Sequence, residues 1–279
     1  MPRFSNKVAI ITGSSNGIGR STAILLAKDG AKVTITGRNA ERLEQTLKLI
    51  LAEGVPEENV NSVVGDVTTV TAQDELIDST IKKFGKIDIL VNNAGSAVPD
   101  ATGAQGLAQD IDTYDRMFAL NLRSVVQLTK KAKDYIIQTK GEIINVSSIV
   151  SGAHGFPDSS FYAMSKAALD SYTRNTALEL IEHGVRVNAV NPGIVVTGFL
   201  EATGAPKQIG EKLYDYFASH KACLPSKELG QPEDIANLIA FLADRPLSKY
   251  IIGQTIVADG GTTLVLGIGA HNIADILSK

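Results

Sequence analysis

The sequence predicts an α/β protein: an open, doubly wound parallel sheet with helices on both faces, in one domain over residues 1–279. Three observations predict it. Short β-branched runs alternate with long amphipathic stretches, the pattern of βαβ units. Runs such as 87–91 are almost continuously apolar, as strands buried on both faces must be. A glycine-rich turn joins the first run to the first amphipathic stretch.

The elements follow in order. Residues 8–11 are four apolar residues stopped by Thr12-Gly13, a buried strand, and 18–28 is the helix after it. A second strand at 32–36 leads into a helix at 40–53. Strands at 60–64, 87–91, 142–146 and 185–190 repeat the signal, with helical patterns at 72–84, 114–138 and 162–182. A last helix at 232–243 precedes a strand at 255–258. Two stretches break the rhythm: a Gly/Ala/Gln-rich connection at 96–112 and a mixed segment at 198–230. Long connections in compact α/β domains are often lids or binding loops, so 198–230 is expected to be a substrate loop. Residues 262–279 form a C-terminal tail.

Composition narrows the function. Apolar residues make up 44% of the chain and charged residues 20%, ordinary for a globular protein. The net charge of −3 offers no basic field for nucleic acid or an anionic membrane. A single cysteine, Cys223, excludes an internal disulfide. The apolar run at 8–11 is too short for a signal-peptide core, and no run approaches the ~20 residues that cross a bilayer. The expectation is a cytoplasmic protein with no nucleic-acid or membrane partner and no metal.

The first strand ends in Thr12-Gly13-Ser14-Ser15-Asn16-Gly17-Ile18-Gly19. Glycines let a backbone turn tightly and bring N–H groups to a phosphate, and the following helix N-terminus adds partial positive charge. The spacing is Gly13-x3-Gly17-x-Gly19 rather than G-x-G-x-x-G, so a ligand-free tight turn stays open on this segment alone. The same residues satisfy G-x-S-x-G, the nucleophile elbow of serine hydrolases, with Ser15 as nucleophile and His154, His183, His220 and His271 downstream. Against that reading, the elbow precedes most of the sheet and no HGGG-like segment follows.

The glycine spacing resembles that of classical short-chain dehydrogenases/reductases, and further motifs match in order. Asn92-Asn93-Ala94-Gly95 follows the fourth strand, Asn121 sits in the next helix, and Ser147-Ser148 ends the fifth strand. Tyr162-Ala163-Met164-Ser165-Lys166 opens the next helix, and Asn191-Pro192-Gly193-Ile194-Val195-Val196-Thr197 follows the sixth strand. The resemblance spans roughly residues 5–265 and implies a Rossmann-type fold.

Tyr162 and Lys166 are four apart and share a helix face. A surface aromatic–cation pair would show the same spacing. The ordered series around the pair favours catalysis. An ordinary phenol has a pKa of ~10, and a nearby ammonium is expected to lower it. A fall of ~2 to 3 units requires about 3 to 4 kcal/mol, which Lys166 and a nicotinamide positive charge can supply together in a dry site. The resemblance implies that Tyr162 protonates a substrate carbonyl, Ser148 steadies the oxygen, Lys166 also contacts the nicotinamide ribose, and Asn121 holds a relay water. Ser147 and Ser148 are both candidates, and Ser148, fourteen residues before Tyr162, is closer to the family spacing. The rival for Ser147 is a strand-end hydroxyl bonded to backbone.

The second strand ends Thr34-Ile35-Thr36-Gly37-Arg38-Asn39, without the carboxylate that would bind an NAD ribose. Arg38 suits a 2′-phosphate, so NADP(H) is the expected cofactor and NAD the alternative. Asn16 counts the other way, because NADP-dependent relatives often carry a basic residue there. By resemblance the cofactor contacts are Gly13, Ser15, Asn16, Gly17, Ile18, Gly19, Arg38, Asp66, Val67, Asn93, Ala94, Gly95, Tyr162, Lys166, Pro192, Gly193, Ile194, Val195 and Thr197. Asp66 would receive the adenine amino group, or else be only a turn residue.

The implied activity is hydride transfer between NADP(H) and a carbonyl or secondary alcohol, the substrate itself being unreadable. His154, Phe156, Phe161, Phe199 and Tyr214 are candidates to approach it, though each suits loop packing too. Relatives commonly assemble through the helices at 114–138 and 162–182, which implies a homodimer or homotetramer. Two other classes remain: an NADPH-binding sensor or scaffold without chemistry, and the serine hydrolase.

Overall fold

The computed structural model describes residues 2–202 and 206–265. Seven strands form one parallel sheet in the order β3-β2-β1-β4-β5-β6-β7. They are β1 (Val8–Thr12), β2 (Lys32–Gly37), β3 (Val60–Val64), β4 (Ile89–Asn92), β5 (Glu142–Val146), β6 (Arg186–Pro192) and β7 (Thr255–Ala258). The doubly wound α/β fold expected from the alternation is therefore present. The fourth strand starts two residues later than expected, and the sixth extends to Pro192.

The helices are α1 (Gly17–Lys28), α2 (Ala40–Ala52), α3 (Val70–Phe84), α4 (Ile111–Phe118), α5 (Ser124–Thr139), α6 (Ser160–Ile181), α7 (Phe199–Ala202), α8 (Lys207–Ser219), α9 (Pro232–Ala243) and α10 (Arg245–Ser248). Their ends follow local chemistry. The Asn39 side chain caps α2 by accepting from Arg42 N at 2.8 Å, Thr69 caps α3, and Gly85 ends α3 in the left-handed region at φ 79°. The expected helix at 114–138 starts earlier, at Ile111, and a π-helical turn at Ala119–Arg123 separates α4 from α5. The segment 198–230 holds α7 and α8. Of the expected tail, only residues 262–265 lie within the described residues, with a short 3-10 turn at Thr262–Leu264.

Alternate strand residues feed two cores. Ala9, Ile11, Ile89 and Val91 face a layer built with Leu26, Leu43 and Ile239 from α1, α2 and α9. Ile10 and Leu90 face the other layer, with Leu76, Leu128 and Leu180 from α3, α5 and α6. This is why these strands are apolar at every position. None of the described helices is long and apolar enough to cross a membrane.

The strand order reverses between β1 and β4, which opens a crevice beyond their carboxyl ends. The opposite end is closed by charge. Arg186, 1% exposed, pairs with Glu142 at 2.9 Å, and Arg245 pairs with the other Glu142 oxygen at 2.7 Å. Arg186 also donates to the Leu242 and Ser248 carbonyls, both at 2.7 Å, tying the starts of β5 and β6 to the α9–α10 corner. Removing one partner of a buried pair strands the other charge. Glu142→Ala is therefore expected to lose about 3–5 kcal/mol of stability. Urea unfolding measures the loss, and dinucleotide affinity of the folded variant should be unchanged because the cluster lies at the far end of the sheet.

Candidate active site

The glycine turn after β1 and the turn after β4 meet at the crevice. Gly13 and Gly17 have φ of +67° and +50°, conformations that favour glycine. A Cβ on Gly19 would stand 2.4 Å from both the Gly13 carbonyl oxygen and Asn93 Nδ2, and one on Gly17 would meet Thr197 Cγ2 at 2.9 Å. Asn93 staples the two turns: its amide donates to the Thr12 carbonyl at 2.8 Å and the Gly13 carbonyl at 3.2 Å. Thr12 Oγ1 in turn accepts from Asn93 N and Ala94 N. The result is a bare backbone cradle at the start of α1, lidded by the 192–197 turn, which suits a dinucleotide pyrophosphate. Asn16 caps α1 by accepting from Gly17 N at 2.8 Å, and Ile18 packs partly buried behind it.

At the end of β2, Arg38 is exposed and pairs with no carboxylate among the described residues. Gly37 lies against Ser15 Oγ, so this strand end abuts the cradle. Arg20, absent from the sequence reading, donates to the Ser15 carbonyl at 2.5 Å and to Thr46 Oγ1 at 3.0 Å. Burial, and then the charge of Arg42, lower its pKa. Asp66 accepts from Thr68 N and Thr68 Oγ1 with the same oxygen, the turn role given as its alternative. Val67 is buried beside it.

Tyr162 and Lys166 lie near the start of α6, and both are buried. The Lys166 ammonium sits 5.7 Å from the centre of the Tyr162 ring and donates to the Val146 carbonyl at 2.8 Å. The Ser148 hydroxyl hydrogen-bonds the phenol. Ser147 Oγ instead donates to the Lys166 backbone carbonyl at 3.3 Å, the strand-end anchor given as its alternative. Phe199 packs its ring 5.6 Å from that of Tyr162.

The electrostatics correct one expectation. The phenol is not lowered by its lysine: burial pushes it up to about 12, although the Ser148 hydrogen bond acts the other way. Burial brings Lys166 down to about 8, against the opposing charge of Asp170. Desolvation disfavours the charged form of each group and is the largest influence on both.

Asn121 sits in the π-helical turn, fully buried. Its Oδ1 accepts from Ser96 N at 3.0 Å, and its Nδ2 donates to the Ser96 carbonyl at 3.0 Å and Ser165 Oγ at 3.1 Å. The side chain is thus engaged with the turn after β4 and with α6. Gly95 lies between Asn121 Oδ1 and Lys166 Nζ, and a Cβ there would stand 3.0 Å from each. π-Helical turns recur at functional sites, and here the turn aims one side chain at two elements.

The remaining candidates divide. In the 192–197 turn, Gly193 N donates to the Ala258 carbonyl, and Tyr214 donates to the Val195 and Thr197 carbonyls, holding the turn that carries Pro192, Ile194, Val195 and Thr197. Phe161 packs on Tyr114 at 5.4 Å. His154 and Phe156 line a 380 Å³ cavity on the α6 face that carries Ala163, Met164 and Ala167, not the Tyr162 face. Among the described residues no histidine hydrogen-bonds Ser15, and His271, the remaining candidate base of the elbow reading, lies outside them. No acidic, His or Cys cluster able to hold a metal occurs among the described residues.

Residues 13–263 match the family model described as Enoyl-(Acyl carrier protein) reductase. The 3-oxoacyl-(acyl-carrier-protein) reductase of Thermotoga maritima is 36% identical over 263 residues, covering 94% of this chain and 100% of that protein. The 7alpha-hydroxysteroid dehydrogenase of Bacteroides fragilis is 36% identical over 266 residues, covering 95% and 97%. A crystal structure of a short-chain dehydrogenase/reductase of unknown function from Caenorhabditis elegans, solved with cofactor, is 60% identical with a TM-score of 0.96, covering 97% and 100%.

The cradle makes a direct prediction. Gly19→Ala places a methyl where Gly13 and Asn93 already stand, so dinucleotide affinity should fall by about tenfold or more. Fluorescence titration with NADPH measures it, and unchanged affinity would show that the turn does not touch the cofactor.

Proposed function

The chain belongs to the classical short-chain dehydrogenase/reductase family, oxidoreductases that use nicotinamide cofactors, and we propose that it is an NADP(H)-dependent reductase of ketones or aldehydes with Tyr162 as the proton donor. The observation that carries this reading is the burial of Tyr162 and Lys166 together beside the glycine cradle, with the Ser148 hydroxyl on the phenol.

Gly13, Gly17 and Gly19 would hold the pyrophosphate, Asn93 and Thr12 would keep the cradle in shape, and the 192–197 turn would cover it. NADPH, when bound, supplies the hydride. The residues supply the proton and the charge stabilisation. With its pKa near 12, the Tyr162 phenol carries its proton at neutral pH and can donate it to the substrate oxygen. Ser148 donates a hydrogen bond to the same oxygen, where negative charge develops. The Lys166 ammonium stabilises the phenolate left behind. Phe199 excludes water from one side of the ring.

Arg38, exposed and with no carboxylate partner among the described residues, supports a 2′-phosphate contact. Asn16 favours NADH as the second reading. A homodimer or homotetramer is part of the proposal: Met164 and Leu178 on α6 are large apolar residues left exposed.

Tyr162→Phe is expected to lower turnover by about 10²–10⁴-fold while NADPH binding stays within about twofold, measured by NADPH oxidation over a panel of carbonyl compounds. Near-normal turnover would remove the role from Tyr162. Arg38→Ala should weaken NADPH binding by about tenfold or more and leave NADH binding nearly unchanged, and equal losses would favour the NADH reading. The pH profile of kcat/KM should fall as pH rises through about 8, because Lys166 loses its proton there. A flat alkaline profile would contradict the charged lysine.

A further inference from the structure

One buried carboxylate near the site has no part in the scheme so far. Asp170 is four residues beyond Lys166 on α6, on the same helix face, and is 7% exposed. One of its oxygens accepts from Asn191 Nδ2 at 2.9 Å. The other has no hydrogen-bond partner among the described residues. A carboxylate half-satisfied at that depth is expensive unless a cation compensates it.

Asn191 links it to the serine. The same Nδ2 also approaches the Ser148 carbonyl at 3.2 Å and Ser151 Oγ at 2.8 Å. Ser151 Oγ donates to the Ser148 carbonyl at 2.6 Å, and Ser148 Oγ accepts from Val150 N. The 148–151 turn, and with it the direction of the Ser148 hydroxyl, therefore hangs on an amide oriented by Asp170.

Lys166, one turn earlier on α6, is the cation that feels the Asp170 charge, without a direct ion pair among the described residues. The elements packed round its ammonium present the Val146 carbonyl from β5, the Gly95 backbone after β4 and the Asn121 amide from the π-helical turn, all uncharged. On its own helix the titratable neighbours are Tyr162 and Asp170.

We propose that Asp170 is a positioning residue for the Tyr162–Lys166–Ser148 site: its bonded oxygen fixes Asn191 and through it the Ser148 turn, and its negative charge keeps the buried Lys166 ammonium charged at neutral pH. The proposal rests on the reading of Tyr162 and Lys166 as the reacting pair for its catalytic meaning. The geometry itself does not depend on that reading. Burial alone would carry the lysine further down, and the Asp170 charge opposes that fall. Removing the charge must therefore lower the lysine midpoint, and removing the amide alone must not.

The test uses the full chain with ¹⁵N-labelled lysine, following the Lys166 Nζ titration by NMR, with the signal assigned by its loss in Lys166→Met. In Asp170→Asn the midpoint is expected to drop by about one pH unit or more from about 8. In Asn191→Ala it is expected to stay where it is. NADPH affinity should remain within about twofold in both, which also shows that they fold. Turnover should fall by about tenfold or more in both, but only Asp170→Asn should move the alkaline limb to lower pH. An unmoved Lys166 midpoint in Asp170→Asn overturns the proposal, whether or not a carbonyl substrate is known. If Asp170→Asn fails to fold, Asn191→Ala decides: full turnover there overturns it. A wild-type protein that binds NADPH and reduces no carbonyl refutes the reductase reading, while the lysine titration still judges Asp170 separately.

Discussion

The site depends on keeping an ammonium charged in a place that disfavours charge. Lys166 is 3% exposed and brings its Nζ to the Val146 carbonyl at the end of β5. One neutral acceptor does not replace the hydration of an ammonium. The surroundings compensate with Asp170 one turn along the helix, while Asn121 holds the neighbouring Ser96 and Ser165 in place. A lysine in water would keep its charge without help and would do little for a distant phenol. In this dry setting small changes around the charge matter.

The sheet explains why this setting exists at one end only. Parallel strands bring all their carboxyl ends to one side, so the turns after β1, β4, β5 and β6 converge there. Each contributes a different element: the glycine cradle, the Asn93–Gly95 turn, the two serines and the 192–197 turn. At the other end the same strands begin in the Glu142, Arg186 and Arg245 cluster, where every charge is paired and the linking carbonyls are bonded. The contrast is between charges paired with one another at the amino ends and the backbone cradle and hydroxyls gathered at the carboxyl ends. Asn93 illustrates the boundary. Although it sits in the cofactor crevice, its side chain is used on Thr12 and Gly13 to hold the cradle's shape.

Much of this was legible in the sequence because strand burial and glycine geometry leave local marks. The apolar run at 8–11 and the spacing of Gly13, Gly17 and Gly19 point to the sheet and the cradle without any coordinates. The Tyr162–Lys166 spacing gave a shared face, and the ordered motifs around it gave that face a role. Three things were not legible. The π-helical turn at Ala119–Arg123 reads as ordinary helix, because widening a turn changes hydrogen-bond partners without a residue signature. The direction of the Tyr162 pKa follows from depth of burial, which spacing does not report, and a nearby cation was expected to dominate. Asp170 could have been found from its four-residue offset to Lys166. Its link to Ser148, however, runs through Asn191 on β6, a contact between distant parts of the chain.

The central claim is that the buried Tyr162 phenol, held protonated by desolvation, becomes a stronger acid as the nicotinamide ring gains positive charge on giving up its hydride. Ultraviolet difference titration of tyrosinate, with and without NADP⁺, tests this directly against a Tyr162→Phe control. The account predicts one tyrosine, missing in the control, whose midpoint falls from about 12 by about two units or more when NADP⁺ binds. A Tyr162 midpoint that stays near 12 in the saturated complex would contradict it.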